Sequence, residues 1–264
     1  MVEKILITGG NGFIGRYLCD ECDQQGIGYS ILKSTKEAYT PKGTYTADIR
    51  ERESLECVIR EYEPDAIIHL AAIASPVHSN VTEIYDVNVK GTENLLEVAR
   101  ANMKHGGRMV LVSTAGVYGN QAMELLTEDL PFNPMNHYSF SKMVTEILSR
   151  QYVDDLDIHI VRPFNIVGVG QNSQFLIPKL VEHFARKEPQ IKLGNLDAVR
   201  DYVSVKFCAQ VMLKLALSEK PKPRIVNICS GVGHSCRQVI ELLEEMTGHQ
   251  LEILSSKEFS RRNE

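Results

Sequence analysis

Lys4-Ile5-Leu6-Ile7-Thr8-Gly9-Gly10-Asn11-Gly12-Phe13-Ile14-Gly15 is the stretch that decides the fold. The apolar run before Gly9 shows no polar alternation, so it reads as a strand buried on both faces. From Phe13 to Gln25 the pattern is helical, and Gly26 and Gly28 end it. Between strand and helix, glycines stand at 9, 12 and 15. One glycine makes the tight turn, another lets backbone approach a pyrophosphate, and the third lets helix pack closely on strand. The amides of the helix N-terminus then face the anion. The G-x-x-G-x-x-G spacing differs by one residue from the usual dinucleotide fingerprint, but its place between a buried strand and a helix is the context that fingerprint requires.

Outward from this unit the rhythm repeats. Strands are expected at Tyr29 to Leu32, Ala66 to Leu70, Met109 to Ser113 and Ile158 to Val161. Helices are expected at Arg52 to Tyr62, Glu83 to Asn102 and Tyr138 to Tyr152. Strand-helix alternation of this kind predicts an α/β fold, a Rossmann-type doubly wound parallel sheet. After Pro163 the rhythm loosens, with a helix near Phe175 to Arg186, strands at Ile191 to Leu193 and Ile225 to Ile228, and a helix from Arg237 to Met246. The expected division is a dinucleotide-binding domain over 1–163 and a smaller, mainly substrate-binding lobe over 164–264, interleaved with the sheet.

The formal net charge of -5 disfavours a phosphate-backbone partner, so nucleic-acid binding is not expected; Arg261-Arg262 is too short for a basic tail. No apolar run is long enough for a bilayer and no signal-peptide pattern opens the chain, which predicts a cytoplasmic protein with no membrane partner. The 6 cysteines suit a reducing compartment. Cys19 and Cys22 form C-x-x-C inside a helical stretch with no second pair at zinc spacing, so they read as part-buried thiols and no metal is expected.

An acidic residue at the end of the second strand would accept the adenosine ribose 2′-hydroxyl and favour NAD. Here Leu32-Lys33-Ser34-Thr35-Lys36 offers none. Lys33 and Ser34 suit a 2′-phosphate instead, with Arg16 nearby in the first helical turn. NADP(H) is therefore favoured over NAD(H), the alternative for Lys33 being a solvated surface lysine. Tyr138 and Lys142 lie four apart on a helix and share a face. A phenol has a pKa near ~10. A neighbouring ammonium is expected to lower it, and the protonated phenol can donate to a carbonyl oxygen as hydride reaches carbon. Lys142 can also hydrogen-bond the nicotinamide ribose. Ser113-Thr114 ends the preceding strand with hydroxyls that can orient a substrate oxygen.

These residues, with Leu70-Ala71-Ala72, Asn88 in Asn-Val-Lys-Gly-Thr, Ser113-Thr114-Ala115-Gly116-Val117-Tyr118-Gly119, Arg162-Pro163-Phe164-Asn165 and Arg200-Asp201-Tyr202, resemble the extended short-chain dehydrogenase/reductases, the NAD(P)-dependent nucleotide-sugar epimerases and dehydratases. The resemblance covers most of the chain. It implies that Gly9, Gly12, Phe13, Ile14 and Gly15 hold the pyrophosphate and that Asp48 and Ile49 sit by the adenine. Leu70, Ala71, Ala72, Asn88, Ser113 and Pro163 would line the cofactor path together with Lys33, Ser34, Tyr138 and Lys142. It makes Thr114, Tyr138 and Lys142 catalytic, and places Thr114, Asn165 and Arg200 on the substrate, Arg200 on the diphosphate. A guanidinium fork suits that last role. The alternative for Arg200 is a salt bridge to Asp201 or another carboxylate, and for Asp48 a helix cap.

In the family's dehydratases an acidic residue follows the catalytic threonine; here Ala115-Gly116 follows Thr114, which leaves reduction and 4-epimerisation. Arg162-Pro163-Phe164-Asn165 with Gly168-x-Gly170-Gln171 most resembles the GDP-4-keto-6-deoxymannose reductases. The expectation is an NADPH-dependent reductase of a nucleotide-linked 4-keto-6-deoxy sugar with Tyr138 as proton donor, working as a homodimer built on the helices at Glu83 and Tyr138. The alternatives are an NAD-dependent nucleotide-sugar 4-epimerase and a non-catalytic dinucleotide sensor or scaffold. The chain ends at Asn263-Glu264, sooner than the resembled proteins do, so a shortened substrate lobe is expected.

Overall fold

The strand Lys4–Thr8 (β1) lies in the middle of a seven-stranded sheet, and the order of its neighbours sets where a ligand can sit. The computed structural model describes residues 2–34, 43–74, 78–121, 125–219 and 224–255. Thr35, Lys36 and the Arg261-Arg262-Asn263-Glu264 ending lie outside the described residues.

In chain order the elements are β1, α1 (Phe13–Gln25), β2 (Gly28–Lys33), β3 (Thr44–Thr46), α2 (Arg52–Tyr62), β4 (Ala66–His69), α3 (Val81–Tyr85) and, after a π-helical turn over Asp86–Lys90, α4 (Gly91–Asn102). Then come β5 (Gly107–Val112), α5 (His137–Ser149), β6 (Leu156–Pro163), β7 (Asn165–Val167), α6 (Leu176–Ala185), β8 (Gln190–Leu193) and β9 (Val199–Ser204). The chain closes with α7 (Val205–Leu217), β10 (Ile225–Ile228), β11 (Gly233–Ser235), α8 (Cys236–Thr247) and β12 (Glu252–Ser255).

The chain forms two units, one of Met1–Pro163 with Lys206–Ile228, the other of Phe164–Val205 with Cys229–Glu264. In the first, the strand order is β10-β6-β5-β4-β1-β2-β3. Every pairing in it is parallel. Connections run one way from β1 to β2 and the other way from β4 onward, so the β1–β4 border is the topological switch point where such sheets bind ligands. Ile5, Leu6 and Ile7 of β1 and Ile67 and Ile68 of β4 are fully buried, as a helix-covered sheet demands. Leu55 and Ile59 of α2 join Leu95 and Leu96 of α4 in the core over Leu6, Ile67 and Met109. α1 and α7 meet through Gln210 Nε2, which donates to Glu21 Oε2 at 3.3 Å.

The second unit has a three-stranded sheet β11-β9-β7 and a β12-β8 pair. Its core is Leu180 and Phe184 from α6, Ile191 and Leu193 from β8, and Cys236 and Ile240 from α8.

The expected helix from Glu83 to Asn102 is continuous but contains the π turn, and that from Tyr138 ends in a 3₁₀ turn at Arg150–Tyr152. α7 and the strands β3, β7, β9, β11 and β12 were not anticipated; β3, β7, β11 and β12 have only three or four residues and carry too little periodicity to be read. Cys19 and Cys22 are buried free thiols. Among the described residues, no helix is long and apolar enough to cross a membrane.

Candidate active site

The glycine turn fits a dinucleotide through close approach of backbone. Gly9 adopts φ +69°, and a Cβ there would lie 2.9 Å from the Ala71 amide nitrogen beyond β4. A Cβ on Gly15 would lie 2.5 Å from the Gly10 backbone, so only glycine lets α1 start this near the turn. Gly12 is the N-cap of α1 and supplies no side-chain acceptor, leaving the amides of Phe13, Ile14 and Gly15 to the ligand side of the helix dipole.

At the far end of β2, Lys33 is buried and Ser34 is exposed. Burial of Lys33 argues against the solvated-lysine alternative. Asp48 does not cap α2, whose N-cap is Glu51. Its carboxylate instead accepts from the Arg50 amide at 2.9 Å and from the Arg50 guanidinium at 2.9 and 3.0 Å through Nε. Ile49 is buried against Gly91.

Beyond β4, the Leu70 amide donates to the Thr8 carbonyl at 3.1 Å, which keeps Leu70-Ala71-Ala72 beside the glycine turn. Asn88 is fully buried in the π turn. Its Oδ1 accepts from the Ile73 amide at 2.8 Å, and its Nδ2 donates to the Ile73 carbonyl at 3.1 Å and to Ser141 Oγ at 2.9 Å. Its side chain thus fastens the loop after β4 to α5. A π turn carries one extra residue per turn and re-aims the side chain it holds, a common device near functional sites.

α5 begins with a true cap, the Ser139 amide donating to Asn136 Oδ1 at 2.9 Å. That fixes the first turn, where Tyr138 stands half-buried. The Thr114 side chain lies near enough to the Tyr138 phenol to lower its pKa against burial, and Thr114 Oγ1 accepts from the Gly116 amide at 3.1 Å. Thr114, Tyr138 and Lys142 are therefore brought to one place from the end of β5 and one face of α5.

The electrostatics differ from the expected lowering of the phenol by Lys142. Burial pushes the Tyr138 phenol up to about 12, with the Thr114 side chain pulling the other way. Lys142 is buried and its Nζ donates to the Val112 carbonyl at 2.8 Å. Burial pushes that ammonium down to about 8, with Glu146 opposing. Burial thus favours the neutral phenol at Tyr138 and makes the Lys142 ammonium easier to deprotonate.

Ser113 is buried and its hydroxyl donates to Glu146 Oε1, into the interior. Pro163 ends β6, in register with Ile228 of β10. In the second unit, Asn165 pairs with Tyr202 across β7 and β9, which sets it near Arg200 in the same sheet. Asn165 Nδ2 donates to the Asp201 carbonyl at 3.1 Å, and Arg200 Nη1 to the Val199 carbonyl at 2.8 Å. The Asp201 carboxylate is engaged by the Ser230 amide at 2.8 Å and the Gly231 amide at 2.7 Å.

Sequence reading missed Glu146 and gave Arg162 no role, yet both sit directly behind Lys142. The available signal was Glu146 four residues after Lys142, hence on the same helical face.

The NAD dependent epimerase/dehydratase family model matches residues 5–229. The chain is 40% identical over 265 residues to GDP-6-deoxy-D-talose 4-dehydrogenase of Aggregatibacter actinomycetemcomitans, covering 99% of this chain and 86% of that enzyme. It is 30% identical over 275 residues to GDP-6-deoxy-D-mannose reductase of Pseudomonas aeruginosa, covering 100% of this chain and 86% of the reductase. Among solved structures, it superposes on the Thermus thermophilus UDP-glucose 4-epimerase complex with NAD at a TM-score of 0.80 and 26% identity, over 97% of this chain and 88% of the epimerase. With its parallel sheet, its glycine turn at the switch point and its threonine-tyrosine-lysine cluster, this chain belongs to the NAD dependent epimerase/dehydratase family, and is an NAD(P)-dependent, nucleotide-sugar-modifying enzyme of the extended short-chain dehydrogenase/reductase type.

Proposed function

We propose that the chain is an NADPH-dependent reductase of a nucleotide-diphosphate 4-keto-6-deoxy sugar. The observation that carries this reading is the gathering of Thr114, Tyr138 and the buried Lys142 at the end of β5, with the phenol kept protonated by burial. A neutral phenol is what a ketone oxygen needs as it becomes an alcohol. Support for the substrate class comes from the GDP-6-deoxy sugar enzymes to which the chain is similar.

In this reading Gly9, Gly12, Phe13, Ile14 and Gly15 hold the pyrophosphate, and Lys33 and Ser34 receive the 2′-phosphate. The reduced nicotinamide supplies hydride when bound. Thr114 orients the sugar carbonyl oxygen, Tyr138 gives that oxygen its proton, and Lys142 supplies positive charge beside the phenolate that results. Asn165 and Arg200 take the sugar and its diphosphate. The chain works as a homodimer through α3, α4 and α5; Phe140 and Ile147, exposed and seven apart on α5, support that surface.

The second reading, an NAD-dependent 4-epimerase, draws on the fold shared with the Thermus enzyme and uses the same three side chains. One experiment separates the two: denature fresh protein, identify any released dinucleotide, and assay a second sample with NADPH and GDP-4-keto-6-deoxymannose. An exchangeable site with NADPH-dependent turnover supports the reductase. Stoichiometric, non-exchanging NAD overturns it in favour of the epimerase.

A further inference from the structure

We propose that Glu146 is a positioning residue for the reaction: from one turn along α5 its carboxylate keeps Lys142 an ammonium, while Arg162 and Ser113 hold Glu146 and the Val112 carbonyl holds the amine. The inference rests on the reading of Tyr138 and Lys142 as the proton-handling pair.

The geometry starts on α5, where Glu146 lies one turn beyond Lys142 on the same face. Both are 3% exposed. Arg162, on β6, straddles the carboxylate: Nε donates to Oε1 at 3.0 Å and to Oε2 at 3.2 Å, and Nη2 donates to Oε2 at 2.7 Å. Ser113, at the end of β5, donates to Oε1. The guanidinium is fixed in turn, with Nη1 donating to the Tyr118 hydroxyl at 2.8 Å and to the Glu128 carbonyl at 3.0 Å. The Tyr118 and Phe132 rings lie 5.0 and 5.2 Å from it. The Tyr118 hydroxyl in turn donates a hydrogen bond to Asn227 Oδ1 at 2.7 Å. Neither charge can turn away without breaking several bonds.

A buried ion pair is a poor device for stability, because well-packed apolar groups often do as well or better. The charge therefore calls for another reason, and Lys142 supplies one. The groups facing Lys142 come from four elements. On α5 they are Tyr138, neutral, and Glu146. On β4 it is His69, held neutral by burial. The end of β5 offers the Val112 carbonyl and the Ser113 hydroxyl, and β6 offers Arg162, already engaged by Glu146. Among these, Glu146 alone is an anion, and it is the group that opposes the loss of Lys142's proton. The same carboxylate joins the ends of β5 and α5, the two elements that carry Thr114 and Tyr138.

The test is a pH titration of the full chain with 13Cε-labelled lysine, the Lys142 resonance being assigned from its disappearance in Lys142→Met. In Glu146→Gln the Lys142 midpoint should fall by about one unit, the lower end of what loss of a near opposite charge produces. The alkaline limb of kcat/KM, measured with NADPH and GDP-4-keto-6-deoxymannose, should move to lower pH by the same amount, with kcat reduced and KM for the sugar little changed. Should Glu146→Gln fail to fold, Glu146→Asp is measured instead: the carboxylate is drawn back from Lys142 by one methylene and the midpoint should still fall, by a smaller amount. An unmoved midpoint in whichever variant folds overturns the role of Glu146. Full turnover in Tyr138→Phe or Lys142→Met would instead overturn the underlying catalytic reading, so the two failures are told apart.

Discussion

His69 Nε2 lies 2.9 Å from Thr92 Oγ1, joining the end of β4 to α4 in a fully buried contact. The direction of that bond follows from its neighbours. Thr92 donates its hydroxyl proton to the Asn88 carbonyl, so it must accept from His69 Nε2–H. His69 Nδ1 is then the acceptor for the Thr8 hydroxyl at 2.7 Å, and Thr8 Oγ1 accepts from the Ala71 amide at 3.2 Å. The chain of donors is complete with neutral imidazole and fails with imidazolium, which has no acceptor to offer Thr8. It connects the strand before the glycine turn, the Ala71 loop and the π turn of Asn88.

The first prediction concerns pH. Burial, assisted by the charge of Lys142, pushes His69 down to about 3 from its ordinary 6.5. The unfolded chain takes up a proton below about 6.5 that the folded chain refuses, so stability is full above that value and falls as pH drops toward 3. The loss should be about 1 kcal/mol per pH unit in that window. Urea unfolding at a series of pH values measures it, and His69→Gln should flatten the slope. A His69 imidazole that titrates by 15N NMR between about pH 5 and 8 in the folded chain would refute the assigned tautomer.

Removing the phenol hydroxyl tests the chemistry. Tyr138→Phe deletes the proposed proton donor while leaving the ring. Turnover should drop by roughly 100-fold or more, the scale of a lost general acid. Affinity for NADPH, followed by its fluorescence, should change only slightly. Turnover near wild type would remove Tyr138 from the mechanism.

Substitution at the turn tests the cradle. Gly15→Ala places a methyl 2.5 Å from the Gly10 backbone, where no flexible side-chain end can move aside. Overpacking of this kind costs about 1–3 kcal/mol. A lowered melting temperature together with weakened NADPH binding is expected. Unchanged binding would show that the turn does not need its close approach.

The proposed dimer surface is tested by charge. Phe140 contacts the Tyr85 ring edge-on at 6.5 Å yet stays largely exposed, as does Ile147 on the same face of α5. Introducing Phe140→Asp and Ile147→Asp together should convert a dimer into a monomer by light scattering, since unpaired carboxylates would be buried in the interface. A wild-type chain that already runs as a monomer would rule out this surface.

Much of the fold was readable because strong local signals agree. The apolar β1, the glycine triplet and the helical period of α1 each describe the same strand-turn-helix unit, and its repetition implies parallel strands with crossovers. Tyr138 and Lys142 shared a face as soon as their segment was helical. α7 escaped notice although its sequence from Val205 to Leu217 is strongly apolar, and the return of β10 beside β6 could not be read because strand order is a matter of long-range pairing.

By itself, then, the sequence determined most strands and helices of the central sheet, where the glycine turn lies, and which hydroxyl, phenol and amine stand near a strand end. Those features depend on neighbours within a few residues, where periodicity and glycine content carry the information. Only the tertiary structure decided that Asn88 turns inward from a π turn to fasten the loop after β4, that Ser113 points away toward Glu146, and that Arg162 closes the cluster behind Lys142. These contacts join residues from separate strands and helices. Their partners are chosen by which element ends the sheet brings together and by the need to satisfy every buried charge, and neither condition has a local period.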